Sequence, residues 1–297
     1  MARNIKYQFK NIIDRHFVEG MDKHSLKASG EMTGDRIFSY ADRKNLIDLS
    51  SNFSNFMKEN YPEVKLLKDI DSNHVQSFLN SKCSECSQQT LTQYQSRFRK
   101  LERLAISTYH IEVDYHSTTV PLSLKNGGAK IRNTLLSDTD YTKMLSTTNN
   151  NLRNALLLSK HFGLRAAECS KLKYSDIKEN GIQIIDSKGK RSRFVPVENQ
   201  KQKEVLKQFQ QIKEGRVCPV QTGSLQQAFN RQAKKQNVFI DNGAFHTLRK
   251  FYATEKYQEY RKSGLSVQQS LDKVSQNLGH GSNRNDLMKE YICCSIT

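Results

Sequence analysis

Only one stretch of this 297-residue chain carries a strong strand signal, and the other apolar residues that recur regularly do so at helical spacing. After Gly181, Ile182-Gln-Ile-Ile185 is β-branched, Ser187-Lys-Gly-Lys190 reads as a turn, and Arg193-Phe-Val-Pro-Val197 resumes the strand pattern. The fold class this predicts is mainly α with a small β-hairpin. Upstream, Leu46, Leu49, Phe53 and Phe56 lie three and four residues apart and so share one helical face. The same holds for Val75, Phe78 and Leu79, and for Leu91, Tyr94, Phe98, Leu101 and Ala105. Asp71 and Ser72 precede the second stripe and Ser87 to Thr90 the third, which are cap-forming side chains where helices begin. A small helical bundle is expected.

From about His110 to Arg132 the periodicity fades through Pro121 and Asn126-Gly127-Gly128, with Lys125, Lys130 and Arg132 interspersed. The expected division is a helical N-terminal domain over 1–118, a linker over 119–132 and a second domain over 133–297. Ser137 with Asp140 resembles a capping box opening a helix through about Thr147. Helices are then expected at Leu152 to His161, Ala166 to Leu172, Gln200 to Lys213, Ser224 to Gln236, His246 to Tyr260, Ser266 to Asn277 and Arg284 to Tyr291.

Charge narrows the class of partner. Lys plus Arg number 47 against 30 Asp plus Glu, a formal net charge of +17, which argues for a polyanion, with nucleic acid the natural candidate. No run of 18 or more apolar residues and no signal-peptide pattern is present, so no membrane partner is expected and the protein reads as soluble and cytoplasmic, associated with DNA. On the third N-terminal helix Arg97, Arg99, Lys100 and Arg103 could grip phosphates; a solvated helix face would look the same. The six cysteines, Cys83, Cys86, Cys169, Cys218, Cys293 and Cys294, lack the spacing of a disulfide framework, which fits a reducing compartment. Cys83 and Cys86 with His110 and His116 are too far apart for a zinc finger, and no metal site is expected.

Several groups could handle a phosphodiester. Gly163 can end a helix in the left-handed region and aim Arg165 outward, with Glu168 one turn on to orient the guanidinium; a capping glycine and a surface ion pair are the plain alternative. Lys188 and Lys190 sit at the hairpin tip. His246 and Arg249, three apart at a helix start, project toward one point where the helix N-terminus also favours an anion. His280 follows Gly279, and Tyr291 ends the series; a cap, a packed core group or a core tyrosine is the ordinary role of such residues taken singly.

The order of these blocks, Gly-Leu-Arg-x-x-Glu, Lys188 before Arg193-Phe-Val-Pro, His-x-Leu-Arg, Leu-Gly-His and Tyr, resembles the tyrosine recombinase family of phage-type and plasmid-type integrases. The motifs span roughly residues 135 to 297, and the N-terminal helices are more loosely similar to the family's SAM-like core-binding domain. The resemblance implies that Arg165 and Arg249 neutralise the scissile phosphate and that Tyr291 attacks phosphorus to leave a 3′-phosphotyrosyl link and a 5′-hydroxyl. It further implies that Lys188 protonates the departing oxygen, His246 assists proton transfer at the tyrosine, His280 donates a hydrogen bond to the phosphate and Glu168 supports from behind. No cofactor, metal or ATP is implied. The implied partners are double-stranded DNA, a homo-tetramer on two DNA sites and accessory DNA-bending proteins, with Lys125, Lys130, Arg132, Lys190, Arg191 and Arg193 joining the helix basics as DNA-contact candidates.

Two features depart from the family pattern. His280 and Tyr291 are eleven residues apart, where many members have about nine, and the tail after Tyr291 is short. Lys188 is preferred over Lys190 by its distance to Val195-Pro196. The competing readings are a type IB topoisomerase, which would relax plasmids without a specific site, and a DNA-binding protein without cleavage activity.

Overall fold

The computed structural model describes residues 4–19, 26, 28–31, 33–125, 135–187, 192–210, 214–240, 245–281 and 283–296. The chain divides into two compact units, Met1–Lys130 and Ile131–Thr297.

The described residues of the first unit include the helices α1 (Ile5–Arg15), α2 (Tyr40–Asn60), α3 (Ser72–Ser81) and α4 (Gln88–Tyr109), of which the last three follow from the stripes and their caps. Asn4, Ser39, Asp71 and Ser87 each accept a backbone N–H three residues on, and Asp71 and His74 complete a reciprocal capping box. Phe53 sits at the centre of the core, its ring edge-on to Phe9, Phe78 and Phe98 at 6.2, 5.3 and 4.9 Å. Helix α1 lies outside the stripes from which the bundle was expected, yet Ile5, Phe9, Ile12 and Ile13 repeat at helical spacing and are buried.

The segment after α4 differs from a free connector. Tyr115 is fully buried, its hydroxyl donating to the Leu67 carbonyl (2.9 Å) and its N–H to Glu102 (2.6 Å). Beyond it, Thr119 N–H donates to Gln76, Ser123 N–H to Gln88 and Leu124 N–H to the Cys83 carbonyl, each at 2.9 Å. The start of the expected 119–132 linker is therefore strapped to this unit through residue 124, because its backbone groups find partners on α3 and α4 and just beyond α3. Residues 126–134, including Lys130 and Arg132, lie outside the described residues.

The second unit comprises α5 (Asp138–Leu145), α6 (Asn150–Phe162), α7 (Ala166–Lys171), a small sheet, then α8 (Gln200–Gln210), α9 (Thr222–Lys235), α10 (Phe245–Lys262), α11 (Val267–Asn277) and α12 (Asn285–Tyr291). The sheet is antiparallel in the order β1 (Ile177–Lys178), β2 (Gly181–Ile184), β3 (Arg193–Pro196), with Ile182 opposite Val195. The expected hairpin is thus β2–β3, widened by β1, whose two residues are too few to show alternation. Helix α10 is buried along most of its circumference, which makes it the post around which the unit is built. Its Leu248 joins one apolar cluster with Leu156, Phe162, Ile182, Val195 and Phe229, and its Tyr257 joins another with Leu271, Val274, Leu278 and Met288. Among the described residues, no helix is long and apolar enough to cross a membrane.

Candidate active site

Helix α6 ends at Gly163, which takes φ +64° and donates its N–H to Ser159. A side chain could not sit there: a Cβ would lie 2.6 Å from Tyr252 and 2.9 Å from Leu278. The tight exit delivers Arg165 to the N-cap of α7, where its backbone N–H donates to Glu168 Oε2 (2.8 Å) and its Nη1 to Glu168 Oε1 (2.7 Å). Arg165 Nη2 lies 3.4 Å from His280 Nε2.

Glu168 is buried and holds the centre of the cluster. Both Nη atoms of Arg193 pair with its two oxygens at 2.7 and 2.9 Å, Ser187 Oγ donates to it, and Arg249 Nη1 stands 3.9 Å away. Burial alone would push this carboxyl up, but hydrogen bonds and charge from Arg193, joined by Arg249 and Ser187, hold it well below the usual carboxylate range.

Arg249 projects from the second turn of α10 and is 1% exposed. It donates to the carbonyls of Gly163 and of Leu278, the latter at 3.0 Å, so it pins the end of α6 to the end of α11. Its Nε has no partner among the described residues. Burial first, then the nearby Arg165, push its pKa down to about 10.

His280 follows α11 through Gly279 (φ +74°) and donates its backbone N–H to Ser275. Burial, followed by the charges of Arg249 and Arg165, pushes its pKa down to about 3, so its imidazole is neutral at physiological pH. Tyr291, the last residue of α12, is 6% exposed. Its ring centroid lies 4.9 Å from that of His246 and 5.3 Å from that of His280, and the Arg249 guanidinium sits 5.7 Å from it.

Arg165, Glu168, His246, Arg249, His280 and Tyr291, spread over 127 positions of sequence, thus share one cluster. Lys188, Lys190 and Arg191 lie outside the described residues. Arg193, a DNA-contact candidate by sequence, has a side chain only 10% exposed and engaged on Glu168 and on the Asn277 carbonyl (2.9 Å). Sequence reading missed this role, and the clue was Gly279: a Cβ there would come within 2.9 Å of the Arg193 side chain.

In the first unit, Arg99 is exposed, Arg97 donates to Gln93 (3.3 Å), Lys100 pairs with Asp42 (2.7 Å) and Arg103 donates to the Gly34 carbonyl (3.3 Å). Lys125 is exposed. The thiol of Cys83 donates to the Leu79 carbonyl, and His116 is held by Glu102 (2.9 Å) and Asp114 (3.2 Å), so these two residues are engaged away from any Cys–His set. Glu102, Asp114 and His116 form the one cluster of metal-capable atoms among the described residues, and His116 is exposed there.

Among curated proteins, none matches this sequence significantly. Among solved structures, a lambda integrase dimer bound to a COC′ core site is similar over 95% of this chain and 76% of that one, at 21% identity and a TM-score of 0.61. XerH site-specific recombinase, in a post-cleavage complex with palindromic difH substrate, is similar over 99% of this chain and 94% of that one, at 14% identity and a TM-score of 0.66. A lambda integrase tetramer bound to a Holliday junction covers 92% of this chain and 77% of its own, at 22% identity and a TM-score of 0.60. These likenesses establish the fold. The profile of the phage integrase family matches residues 133–285, just over half of the chain, from the start of the second unit to the first turn of α12, and the chain belongs to that family.

Proposed function

We propose that this chain is a site-specific DNA recombinase that cuts and rejoins duplex DNA through a covalent bond to Tyr291. The observation that carries the reading is the packing of Tyr291 between His246 and His280, beside Arg249, in a chain of the phage integrase family. A tyrosine hydroxyl is a weak nucleophile, and it gains most from neighbours that take its proton and neutralise the developing charge.

In the proposed reaction the Tyr291 oxygen attacks phosphorus while its proton passes to His246. The bond from phosphorus to the 5′ oxygen breaks, that oxygen takes a proton from Lys188, and a 3′-phosphotyrosyl link with a free 5′-hydroxyl remains. Arg165 and Arg249 offer planar forks of N–H donors to the non-bridging oxygens, and the neutral His280 offers one N–H. Glu168 holds Arg165 in place from behind. Attack by another strand's 5′-hydroxyl reverses the sequence, so rejoining draws on the bond energy held in the adduct rather than on ATP or a metal. The net charge of +17 suits duplex DNA as the partner. The basic residues of α4 and Lys125 are its candidate phosphate contacts in the first unit. By analogy with the lambda integrase tetramer bound to a Holliday junction, the working assembly is a homo-tetramer on two DNA sites.

The test uses a nicked duplex library with a randomised centre. Wild-type protein should form detergent-resistant protein–DNA adducts whose recovered sequences converge on one site, and Tyr291→Phe should bind that site without forming an adduct. An adduct formed by Tyr291→Phe would remove the tyrosine from its role. Relaxation of plasmids without any preferred sequence would favour a topoisomerase instead.

A further inference from the structure

The geometry points to Arg193 as a positioning residue that keeps one edge of Arg165 open for the scissile phosphate, and to the chain Asn277–Tyr260–Glu198 as the device that holds Arg193 there. This inference rests on the recombinase reading above.

Two arginines compete for one carboxylate. A carboxylate facing a lone guanidinium adopts a two-point pairing, because two parallel N–H···O bonds are the strongest arrangement available. Here Glu168 makes that two-point pairing with Arg193, at 2.7 and 2.9 Å, and meets the side chain of Arg165 through Nη1 alone at 2.7 Å. Arg165 Nη2 is left turned toward His280 Nε2 at 3.4 Å, on the side where Tyr291 packs. Without Arg193, Glu168 Oε2 would keep the Arg165 backbone N–H as its one close partner (2.8 Å) and could turn from it onto the Arg165 guanidinium, occupying the edge the phosphate needs.

Arg193 can win this competition only if it cannot move, and the structure fixes it at three points, the first being Glu168 itself. At the second, its Nε donates to the Asn277 carbonyl at the end of α11 (2.9 Å). The Asn277 side chain donates to the Tyr260 hydroxyl (2.9 Å), which itself donates to Glu198 (2.8 Å). Lys256 pairs with the same Glu198 at 2.9 Å. The third point is steric. Gly279, in the left-handed region, lets the Arg193 stem pass where any Cβ would stand 2.9 Å from its Cδ and 3.0 Å from its Nη1. The two histidines and Arg249 lie against the Tyr291 ring, and Arg193 acts on this group through Glu168, which holds Arg165 and stands 3.9 Å from Arg249.

The experiment has two arms. In the first, single-turnover adduct formation is measured at saturating duplex, using the site recovered with wild-type protein. Arg193→Met should slow the step by on the order of 10- to 100-fold, the loss expected when a charged hydrogen-bond partner is misdirected, while duplex affinity changes by less than about threefold because most phosphate contacts remain. Arg193→Lys, which keeps the charge and loses the fork, should fall between the two. The double variant Glu168→Gln/Arg193→Met should be faster than Arg193→Met alone, since a neutral amide no longer captures Arg165; a residue that merely supports the fold would give no such rescue. An Arg193→Met protein with wild-type rate, or a double variant no faster than it, would overturn the proposal. The second arm needs no DNA: a crystal structure of Arg193→Met should show both Glu168 oxygens on the Arg165 guanidinium, with Oε2 turned away from the Arg165 backbone N–H that it accepts in the wild type, and an Arg165 guanidinium still held through Nη1 alone would overturn the proposal even if the recombinase reading stands. Absence of any adduct with wild-type protein would instead count against the recombinase reading.

Discussion

Replacing Gly163 by alanine tests whether the exit from α6 is shaped by the site. The backbone there is left-handed at φ +64°, and the new methyl would meet Tyr252 Cδ1 at 2.6 Å and Leu278 Cδ2 at 2.9 Å, both on buried side chains. A left-handed L-residue costs about 1–2 kcal/mol and forcing a methyl into a packed core about 1–3 kcal/mol, so the loss should be about 2–5 kcal/mol. Gly264 is the matched control. It sits at φ +91° in the same unit, and an added Cβ there would meet nothing within 4 Å, so Gly264→Ala should lose only the backbone part, about 1–2 kcal/mol. For a unit of this size each kcal/mol shifts the melting temperature by roughly 2–4 °C. Differential scanning calorimetry on the two variants should therefore separate them by roughly 2–12 °C. Because the Gly163 carbonyl also accepts from Arg249, the Gly163 variant should lose adduct formation and the Gly264 variant should retain it. Equal melting temperatures for the two variants would refute the steric argument.

Three further outcomes are expected. His161 and His280 are both pushed down from the ordinary 6.5, to about 4 and about 3, chiefly by burial. The unfolded chain therefore takes up protons first as pH falls, and the stability these groups supply is present above pH 6.5 and lost below it. The melting temperature of the second unit should fall from pH 6.5 down to about pH 3, and a His161→Gln/His280→Gln protein should lose the part of that slope above pH 4.5; an unchanged slope would contradict the assignment. Glu168, held low, adds a second loss below its ordinary 4.5, and Glu168→Gln should flatten the curve only below that pH, as followed by circular dichroism across an acid titration. Lys160 is buried with its ammonium 4.2 Å from the Tyr141 ring and 4.1 Å from that of Phe251, paired with an exposed Asp138 at 2.7 Å. Lys160→Met keeps the volume and should change urea stability by less than about 1.5 kcal/mol, whereas Lys160→Glu, which sets an anion against two ring faces, should lose about 3 kcal/mol or more; equal losses would show that the ring faces do not select for a cation.

Much of this arrangement is legible in the sequence, because it is local. Leu46, Phe53, Val75, Phe78 and Phe98 give themselves away by spacing, and Gly163 ahead of Arg165 follows from what a helix end requires. The order of the five motifs is enough to gather Arg165, Glu168, His246, Arg249, His280 and Tyr291 into one cluster. Long-range pairing is what escapes. Arg193 resembles any basic residue after a hairpin tip, and only the fold brings it to Glu168, 25 positions away, and to Asn277, 84 positions away. Strand β1 escapes for the opposite reason, since two residues carry no period, and its place is set by pairing with β2. The strap of residues 119–124 is equally hidden, because side-chain amides of Gln76 and Gln88 supply its partners and such contacts leave no periodic trace.

The most direct test of the proposed chemistry is to digest the wild-type protein–DNA adduct and identify by mass spectrometry which residue carries the nucleotide and through which end. A single modified peptide is predicted, with the phosphate on Tyr291 and linked to the 3′ end of the broken strand. A phosphate on any other residue, such as Tyr257 or Tyr260 on α10, or a link to the 5′ end, would contradict it.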